Sequence, residues 1–280
     1  MKKKSKISFS LEVFPAKTKQ AQIRFWQSIS ELKTLSPAYF SVTSSGESQA
    51  NGSTKELTLK IKRNTNIEAV AHIVSINQTV NSLRELARDY YASGIKRVVA
   101  LRGDLENGDF SGQEIKDAAQ VVKILKQEGD FDISVAGYPE KHPKATSLAA
   151  DIENLKMKVD QGANRVITQF FFDPDVFLRF RDKAYLAGIR VEIVPGLLPI
   201  LNFDKLLIFA RRCQANVPNF LHEMFADMSH QSLHHNLLAM NVLSHQVTRL
   251  IDNGVNHFHF YTLNSTSLTF QICRWINIAF

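Results

Sequence analysis

The chain has 280 residues, of which 44% are hydrophobic and 22% charged, a balance typical of an ordinary soluble globular protein and unlike that of long disordered tracts. No apolar stretch is long enough to span a bilayer, so a membrane partner is not expected. The formal net charge of +7 owes much to lysines near the N-terminus and is otherwise scattered, which argues against a nucleic-acid partner and suits anionic cofactors and substrates.

The N-terminal stretch MKKKSKISFSLEVF is basic and then apolar, but Glu12 interrupts the apolar run and no small-residue cleavage site follows. We therefore predict a tail that enters a strand and not a signal peptide. The two cysteines, Cys213 and Cys273, lie far apart and lack CxxC spacing. Neither a disulfide framework nor a thiolate zinc site is indicated, and a reducing cytoplasm is the expected location.

Short β-rich runs alternate with helix-period segments along the whole chain, the pattern of βα units and a parallel sheet. Several of the predicted helices close on a glycine just past the last apolar position, as at Gly94, Gly162 and Gly188, where a left-handed cap is favoured. The strands are predicted at residues 7–14, 39–43, 69–75, 97–101, 132–138, 165–172, 190–196 and 257–263.

Eight strands with intervening helices in a chain of this length predict an α/β fold, a parallel eight-stranded (β/α)8 barrel of the TIM type, as a single catalytic domain over residues 1–280. An open doubly wound sheet is the alternative, but no GxGxxG motif follows the first strand. The segment from about 218 to 253 carries more helix than one crossover needs, so we expect an extra helix before the last strand.

Residues 44–56, SSGESQANGSTKE, are predicted to form a long loop. Ser53 and Glu56 fit a capping box that would start the next helix. A loop of this length on the catalytic face of a barrel can act as a lid, and a disordered surface loop is the equally weighted alternative.

Polar side chains stand at the C-terminal ends of the predicted strands, where TIM barrels carry out catalysis. A lone polar group at a strand end is more often a loop hydrogen-bonding group or an ion-pair partner. So many of them together, however, predict one common pocket. They are Glu12, Thr43, His72, Arg102 with Asp104, Tyr138 with His142, Gln169, and the turn from Tyr261 to Asn264.

The segment HFHFY places His257 and His259 on one face of the last strand, as in His-x-His metal sites. A metal-dependent barrel hydrolase could recruit His72 and Asp104 as further ligands. Strand-face histidines among phenylalanines are more often packing residues, however, and His72 alone is more typical of a hydrogen-bonded interior histidine. We therefore predict no metal site and keep the hydrolase as an alternative.

The segments LEVFPAKT, SVT, AHIVS, VALRGD, FDISVAGYPEKHP, NLKMKVDQGANRVITQFFFD, PGLLPI and FHFYTLN resemble, in order and spacing, the bacterial 5,10-methylenetetrahydrofolate reductases. The resemblance runs from about residue 7 to the last strand. It implies a barrel that binds FAD, takes a hydride from NADH or NADPH, and after release of the nicotinamide reduces 5,10-methylenetetrahydrofolate to 5-methyltetrahydrofolate for methionine biosynthesis. Members of this family are usually dimers or tetramers, so a homo-oligomer is expected.

The resemblance also implies roles for individual residues. Glu12 matches the general acid that helps protonate the folate nitrogen as the five-membered ring opens. Asp104 matches the aspartate whose negative charge makes the reduced flavin a stronger hydride donor. Gln169 matches the glutamine that binds the pterin, Lys205 lies at a folate-contacting position, and Phe209 matches the aromatic that stacks on folate or nicotinamide. The residues at FAD-contacting positions are Thr43, His72, Arg102, Gly103, Asp104, Ala118, Tyr138, His142, Ala145, Asp151, Asn154 and Lys158.

Several positions depart from the pattern of the family. Ser44 and Asp117 stand where tyrosines are found, Met157 and Ser265 replace arginines, and Lys205 replaces a glutamine. These changes affect contacts to FAD and to the folate tail and leave Glu12, Asp104 and Gln169 in place. They favour an active, diverged reductase, with a non-catalytic flavin- or folate-binding paralogue as the alternative.

Overall fold

A computed structural model of the chain describes residues 6–44, 50–103, 112–229 and 232–280. Within these ranges nine strands form one sheet in the order β7-β6-β5-β4-β3-β2-β1-β9-β8, and every neighbouring pair is parallel. The strands are β1 Ser8–Val13, β2 Phe40–Val42, β3 Ala69–Val74, β4 Arg97–Leu101, β5 Asp132–Gly137, β6 Arg165–Thr168, β7 Glu192–Val194, β8 Gly196–Leu197 and β9 His257–Tyr261.

The ring of strands closes at Pro195. Strand β7 pairs with β6 and β8 pairs with β9, and only this proline separates β7 from β8. Proline has no N–H to donate to a ladder, although its carbonyl accepts a hydrogen bond from the backbone N–H of His259 at 3.0 Å. The predicted continuous strand at 190–196 is therefore wrong in detail: it is two short strands in one barrel position. The predicted (β/α)8 barrel is confirmed.

The sixth strand is shorter than the predicted range 165–172. It ends at Thr168, where the N–H of Gln169 makes the last contact with β5, at 2.8 Å from the carbonyl of Gly137. No strand of the described residues pairs with residues 170–172. Phe170 and Phe172 instead pack into a cluster with side chains of the later helices, whereas Phe171 stacks on Phe177 with ring centroids 5.4 Å apart. The β-like alternation of the sequence thus continues without the hydrogen-bond partners that a strand needs.

Helices follow the strands and cover the outside of the barrel. Two of them, α8 and α9, lie between α7 and β9, which confirms the extra helix before the last strand. The glycines at 94, 162 and 188 have φ values of +82°, +110° and +93°, the left-handed caps that the sequence predicts. The helices are α1 Lys19–Leu32, α2 Ala50–Thr65, α3 Val80–Ala92, α4 Ala118–Glu128, α5 Leu148–Asp160, α6 Pro174–Leu186, α7 Phe203–Cys213, α8 Asn219–Met224, α9 Leu233–Asp252 and α10 Ser267–Ala279, with a short 3-10 helix at Lys33–Leu35.

The start of α2 corrects the predicted loop at 44–56. The helix begins at Ala50, so Ser53 lies inside it and does not start it. The Thr54 hydroxyl donates to the carbonyl of Thr43 at 3.2 Å, a contact with the end of β2 that local sequence does not reveal. The loop is therefore shorter than predicted, and residues 45–49 lie outside the residues that the structure describes.

Strand β1 shows how the barrel separates its two faces. Phe9 and Leu11 pack outward with helix residues in the main hydrophobic core, while Ser8, Ser10 and Glu12 alternate with them and face the barrel interior. The interior also holds an apolar cluster that includes Val70, Val99, Ile167 and Val194. None of the helices in the described ranges combines the length and apolarity needed to cross a bilayer.

Candidate active site

Three adjoining cavities lie at the C-terminal ends of the strands. The central cavity, of about 380 Å³, contains Glu12 and Gln169 in its wall. A second, the polar cavity, of about 410 Å³, shares Leu101, Ala136 and Tyr138 with it. A third, the apolar cavity, of about 290 Å³, shares Leu198, Phe209 and Leu263 with the central one. Together they form one groove across the face where TIM barrels carry out catalysis.

The structure brings the predicted strand-end residues together at this groove. The central cavity is lined by Glu12, Thr43, His72, Tyr138, Gln169, Phe209 and Tyr261. The polar cavity is lined by Arg102, Gly103, Ala118, Tyr138, His142, Ala145, Asp151, Asn154 and Lys158. Lys205 borders the apolar cavity, and Asp104 lies outside the described residues. Asn264 is used differently, because its side-chain amide exchanges two hydrogen bonds with the backbone of Phe14.

Glu12 stands at the end of β1 with two imidazole rings beside its carboxyl group. Its Oε2 atom lies 3.7 Å from His72 Nε2 and 3.6 Å from His259 Nε2. Burial lowers the pKa of His72 to about 4, against the opposing effect of Glu12, so His72 is neutral at pH 7. Burial, together with the Glu12 carboxylate, raises the pKa of Tyr261 well above its usual range. His72 and Tyr261 thus give Glu12 polar but uncharged neighbours at neutral pH.

His259 is a second histidine beside Glu12. From the sequence alone, its pattern indicates only metal binding or packing. The pairing of β9 with β1 brings it there, and the contact joins residues almost at opposite ends of the chain. The companion His257 faces the other end of the barrel and stacks on Tyr39 with ring centroids 5.8 Å apart. No group of three His, Cys, Asp or Glu side chains within the described ranges is arranged to hold a metal ion.

Lys158 supplies a buried amine to the polar cavity. Its Nζ donates to the carbonyl of Ala136 at 2.7 Å. Burial lowers the pKa of Lys158 to about 8, although Asp151 and Asp117 act in the opposite direction. Asp151 is itself engaged by the backbone N–H of His142 at 2.8 Å. The ammonium group is therefore poorly compensated within the protein, as expected of a cation that meets an anionic ligand.

Gly103 lets the backbone after β4 pass close to β3. Its φ is +90°, and a Cβ atom there would lie 2.6 Å from Val74 Cγ1 and 3.0 Å from Ile76 Cβ. Only glycine fits both conditions. The preceding Arg102 donates from Nε to the Gly103 carbonyl at 3.2 Å and borders the polar cavity. A guanidinium and a buried amine that border one cavity have the chemistry for a phosphate-bearing cofactor such as FAD.

Gln169 and Phe209 shape the other side of the central cavity. The Gln169 side chain accepts from the backbone N–H of Phe170 at 3.0 Å and donates to Cys213 Sγ at 3.4 Å, which fixes the orientation of its amide. Phe209 is 37% exposed although it is aromatic, because it borders both the central and the apolar cavity. An oriented amide and an open aromatic face suit a planar heterocycle with hydrogen-bonding edges.

Two of the departures from the family pattern have local roles in this structure. Asp117 is the N-cap of α4 and accepts from the backbone N–H of Gln120 at 2.9 Å, so it stabilises the helix that borders the polar cavity. Met157 lines the same cavity and is 44% exposed. It offers that wall an apolar surface where the family pattern has a cation.

Comparison with known proteins gives close relatives over nearly the full length. The 5,10-methylenetetrahydrofolate reductase of Pectobacterium carotovorum is 43% identical over 98% of this chain and 91% of its own. That of Escherichia coli K12 is 43% identical over 97% of this chain and 91% of its own. The Arabidopsis thaliana methylenetetrahydrofolate reductase (NADH) 1 is 31% identical over 92% of this chain and 46% of its own.

A solved structure supports the fold alone. An uncharacterised protein from Clostridium thermocellum that binds two copies of 5-methyl-5,6,7,8-tetrahydrofolic acid matches with a TM-score of 0.70 at 13% identity, over 99% of this chain and 97% of that one.

The family model described as methylenetetrahydrofolate reductase matches residues 1–277. The chain therefore belongs to the methylenetetrahydrofolate reductase family of oxidoreductases.

Proposed function

We propose that this protein is a flavin-dependent reductase that converts 5,10-methylenetetrahydrofolate to 5-methyltetrahydrofolate with NADH or NADPH, and that residues 1–280 act as one catalytic domain. The observation that carries the proposal is the meeting of Glu12 and Gln169 in a central cavity that opens directly into the polar cavity. When bound there, FAD would accept a hydride from the nicotinamide and return one to the folate, each substrate using the central cavity in turn.

The polar cavity supports the binding of FAD. Lys158 and Arg102 would hold the phosphates, since a buried ammonium that lacks full compensation gains most from an anionic partner. Gly103 borders this cavity, where its backbone would meet the cofactor, and glycine is required there because any side chain would collide with Val74. His142 and Tyr138, packed edge to face with ring centroids 4.5 Å apart, would form the wall where the polar cavity passes into the central one.

The central cavity supports the binding of the pterin and the transfer of a proton. Gln169 would hold the hydrogen-bonding edge of the pterin with an amide already fixed by Phe170. Phe209 would stack on the ring and reduce its contact with water. Glu12 would give its proton to the folate nitrogen that leaves when the five-membered ring opens. Asp104, which lies outside the described residues, stays the predicted electrostatic partner of the flavin, and the homo-oligomer and the cytoplasmic location stay predictions.

The variant Glu12→Gln tests this assignment. The amide of the variant cannot act as an acid, so oxidation of the reduced flavin by methylenetetrahydrofolate should slow by about 10²- to 10⁴-fold, the usual contribution of a general acid. Reduction of the flavin by NADH should continue, because that step needs no acid. Stopped-flow absorbance of the purified protein follows the two steps separately.

The matched control is Glu31→Gln on the exposed surface of α1, for which both steps should keep their wild-type rates. Equal survival of both steps in Glu12→Gln would remove Glu12 from this role. A colourless wild-type protein that takes up no added flavin would refute the flavin-dependent reductase itself.

A further inference from the structure

A column of serine and histidine side chains crosses the barrel interior beneath Glu12. It arises from the parallel pairing of β1 and β9, whose register places Ser8 beside His257 and Ser10 beside His259. Ser8 Oγ lies 2.7 Å from His257 Nδ1, Ser10 Oγ lies 3.2 Å from His257 Nε2, and Ser10 Oγ lies 2.8 Å from His259 Nδ1. The column thus connects four side chains, two from β1 and two from β9, and ends at the carboxyl group of Glu12.

The two imidazole rings of this column, when neutral, each carry a single N–H, on either Nδ1 or Nε2. Burial lowers the pKa of His257 to about 3, with further lowering by His259, Arg165 and Arg97. A neutral imidazole has one nitrogen that donates and one that accepts, and a hydroxyl has a single proton to give. The hydrogen bonds of Ser10 to the two histidines are therefore coupled, because its one proton can go to only one of them.

One direction of the column places an N–H group at Glu12. The Ser8 and Ser10 hydroxyls also lie 3.3 Å from the carbonyls of Asn256 and Phe258, but their contacts with the imidazole nitrogens, at 2.7 and 2.8 Å, are shorter. Ser8 donates to His257 Nδ1, His257 Nε2–H donates to Ser10, and Ser10 donates to His259 Nδ1. The remaining N–H of His259 is then on Nε2, which faces Glu12 Oε2 at 3.6 Å. In the opposite direction the bare lone pair of His259 Nε2 would face Oε2, which is unfavourable once Glu12 has given up its proton and become a carboxylate.

Both imidazole contacts of Glu12 are made at Oε2. Besides His259, Oε2 faces His72 Nε2 at 3.7 Å, and that nitrogen is 2.7 Å from Ser41 Oγ. The polar lining of the cavity also includes Tyr261 from β9, Tyr138 after β5, Gln169 after β6, and Thr43 and Ser44 after β2. Both imidazole contacts are longer than a hydrogen bond, and such contacts commonly tighten when a substrate binds.

We propose that His259 is a positioning residue for Glu12: held as an acceptor at Nδ1 by Ser10, it directs its Nε2–H at Oε2 and leaves Oε1 as the atom that carries and delivers the proton. The inference rests on the proposed function for the reaction that uses this proton, while the hydrogen-bond column rests on the structure alone. In the step itself, the bond from carbon to the folate nitrogen breaks with its electron pair on nitrogen, and that nitrogen takes the proton from Oε1.

The electron pair of the broken O–H bond stays on Glu12. The carboxylate that forms is stabilised at Oε2 by the His259 N–H, which remains on its ring throughout, so His259 neither gains nor loses a proton. Water that enters the central cavity after product release restores the proton to Glu12. Atoms and charge therefore balance with one proton taken up per turnover and no additional reactant.

The tautomer of His259 can be measured without any cofactor. In protein labelled with ¹⁵N-histidine, two-bond ¹⁵N–¹H correlation spectra distinguish Nδ1–H from Nε2–H rings, and the spectrum of His259→Gln identifies the signals of residue 259. We expect the Nε2–H form for His259 at pH 7 and loss of this preference in Ser10→Ala. Ser134, a buried serine of β5, gives the matched control Ser134→Ala, which should leave the tautomer unchanged. An Nδ1–H ring in the wild-type protein would overturn the inference.

The two half-reactions give an independent measurement. His259→Leu removes the donor and should slow oxidation of the reduced flavin by methylenetetrahydrofolate about 10- to 100-fold, the value of one hydrogen bond to a charged group, while reduction by NADH keeps its rate. His259→Gln retains an N–H near the position of Nε2 and should restore the folate step to within a few fold. His235→Gln, which changes an equally buried histidine of α9, controls for loss of a buried ring.

The outcomes separate the inference from the proposed function. Equal folate rates in His259→Leu and His259→Gln, or equal slowing of both half-reactions, would refute the role of His259 while the reductase assignment stands. A wild-type protein that performs neither half-reaction would refute the proposed function, and the tautomer measurement would still decide whether the column points toward Glu12.

Discussion

Replacing Lys158 by methionine should make the cofactor-free protein more stable and the cofactor site weaker. The pKa of Lys158 is lowered from 10.5 to about 8 by burial. A shift of one pKa unit corresponds to about 1.4 kcal/mol, so the lowered pKa means that holding this ammonium charged in the folded protein at pH 7 costs about 3 kcal/mol. Methionine has a similar length and no charge, so it removes this cost.

Two effects reduce the gain. Part of the Lys158 side chain faces the polar cavity, where solvent screens the charge, and the variant leaves the Ala136 carbonyl without the donor that Lys158 supplies at 2.7 Å. The lost hydrogen bond accounts for about 1 kcal/mol. We therefore expect a net increase of about 1 to 2 kcal/mol in the free energy of unfolding at pH 7.

The pH dependence fixes the sign of the effect. Below about pH 8 the amine is charged in both the folded and the unfolded chain, and the full cost is present. Between this value and the ordinary pKa of about 10.5, the unfolded chain holds the proton that the folded chain has released, so the wild-type protein gains stability as the pH rises. The advantage of Lys158→Met should shrink over this range.

Guanidinium unfolding of the flavin-free proteins at pH 7 and pH 10, with flavin affinity measured by fluorescence quenching, tests these expectations. The control Lys156→Met changes a surface lysine that pairs with Asp160 at 2.6 Å, and it should alter stability by less than about 0.5 kcal/mol and leave flavin affinity unchanged. A Lys158→Met protein that is less stable than wild type at pH 7, or that binds flavin equally well, would refute the reasoning.

The remaining predictions concern the substitution of Gly103 and the stability of the protein in acid. Gly94→Ala should lower the free energy of unfolding by about 1 to 2 kcal/mol, because the residue has positive φ and open space around it. Gly103→Ala should lower it by at least about twice as much, because that position has positive φ and is also crowded. Equal melting temperatures of the two variants would contradict this. As the pH falls from 6.5 to 4, the free energy of unfolding measured in urea should decrease less for His72→Gln than for the wild-type protein. The folded-state pKa of about 4 lets the unfolded chain alone bind a proton there, an effect of up to about 3 kcal/mol; parallel stability curves would exclude it.

Local sequence was sufficient for much of the architecture. The alternation of Phe9 and Leu11 with Ser8, Ser10 and Glu12 identifies a strand with one apolar face, and glycines at 94, 162 and 188 mark the helix ends, because these features depend on neighbouring residues only. The placement of Glu12, His72, Tyr138 and Gln169 at one groove also followed from the sequence, since parallel strands of a closed barrel end at the same edge.

Other features depended on tertiary partners. Strand β6 ends at Thr168 because no strand pairs with residues 170–172. Helix α2 begins before Ser53, and its Thr54 contacts the end of β2, a distant segment that local sequence does not identify. The contact of His259 with Glu12 requires closure of the barrel between its first and last strands. A sequence pattern reports which face of a strand a residue occupies, whereas the identity of its neighbour across that face is decided only when distant strands pair.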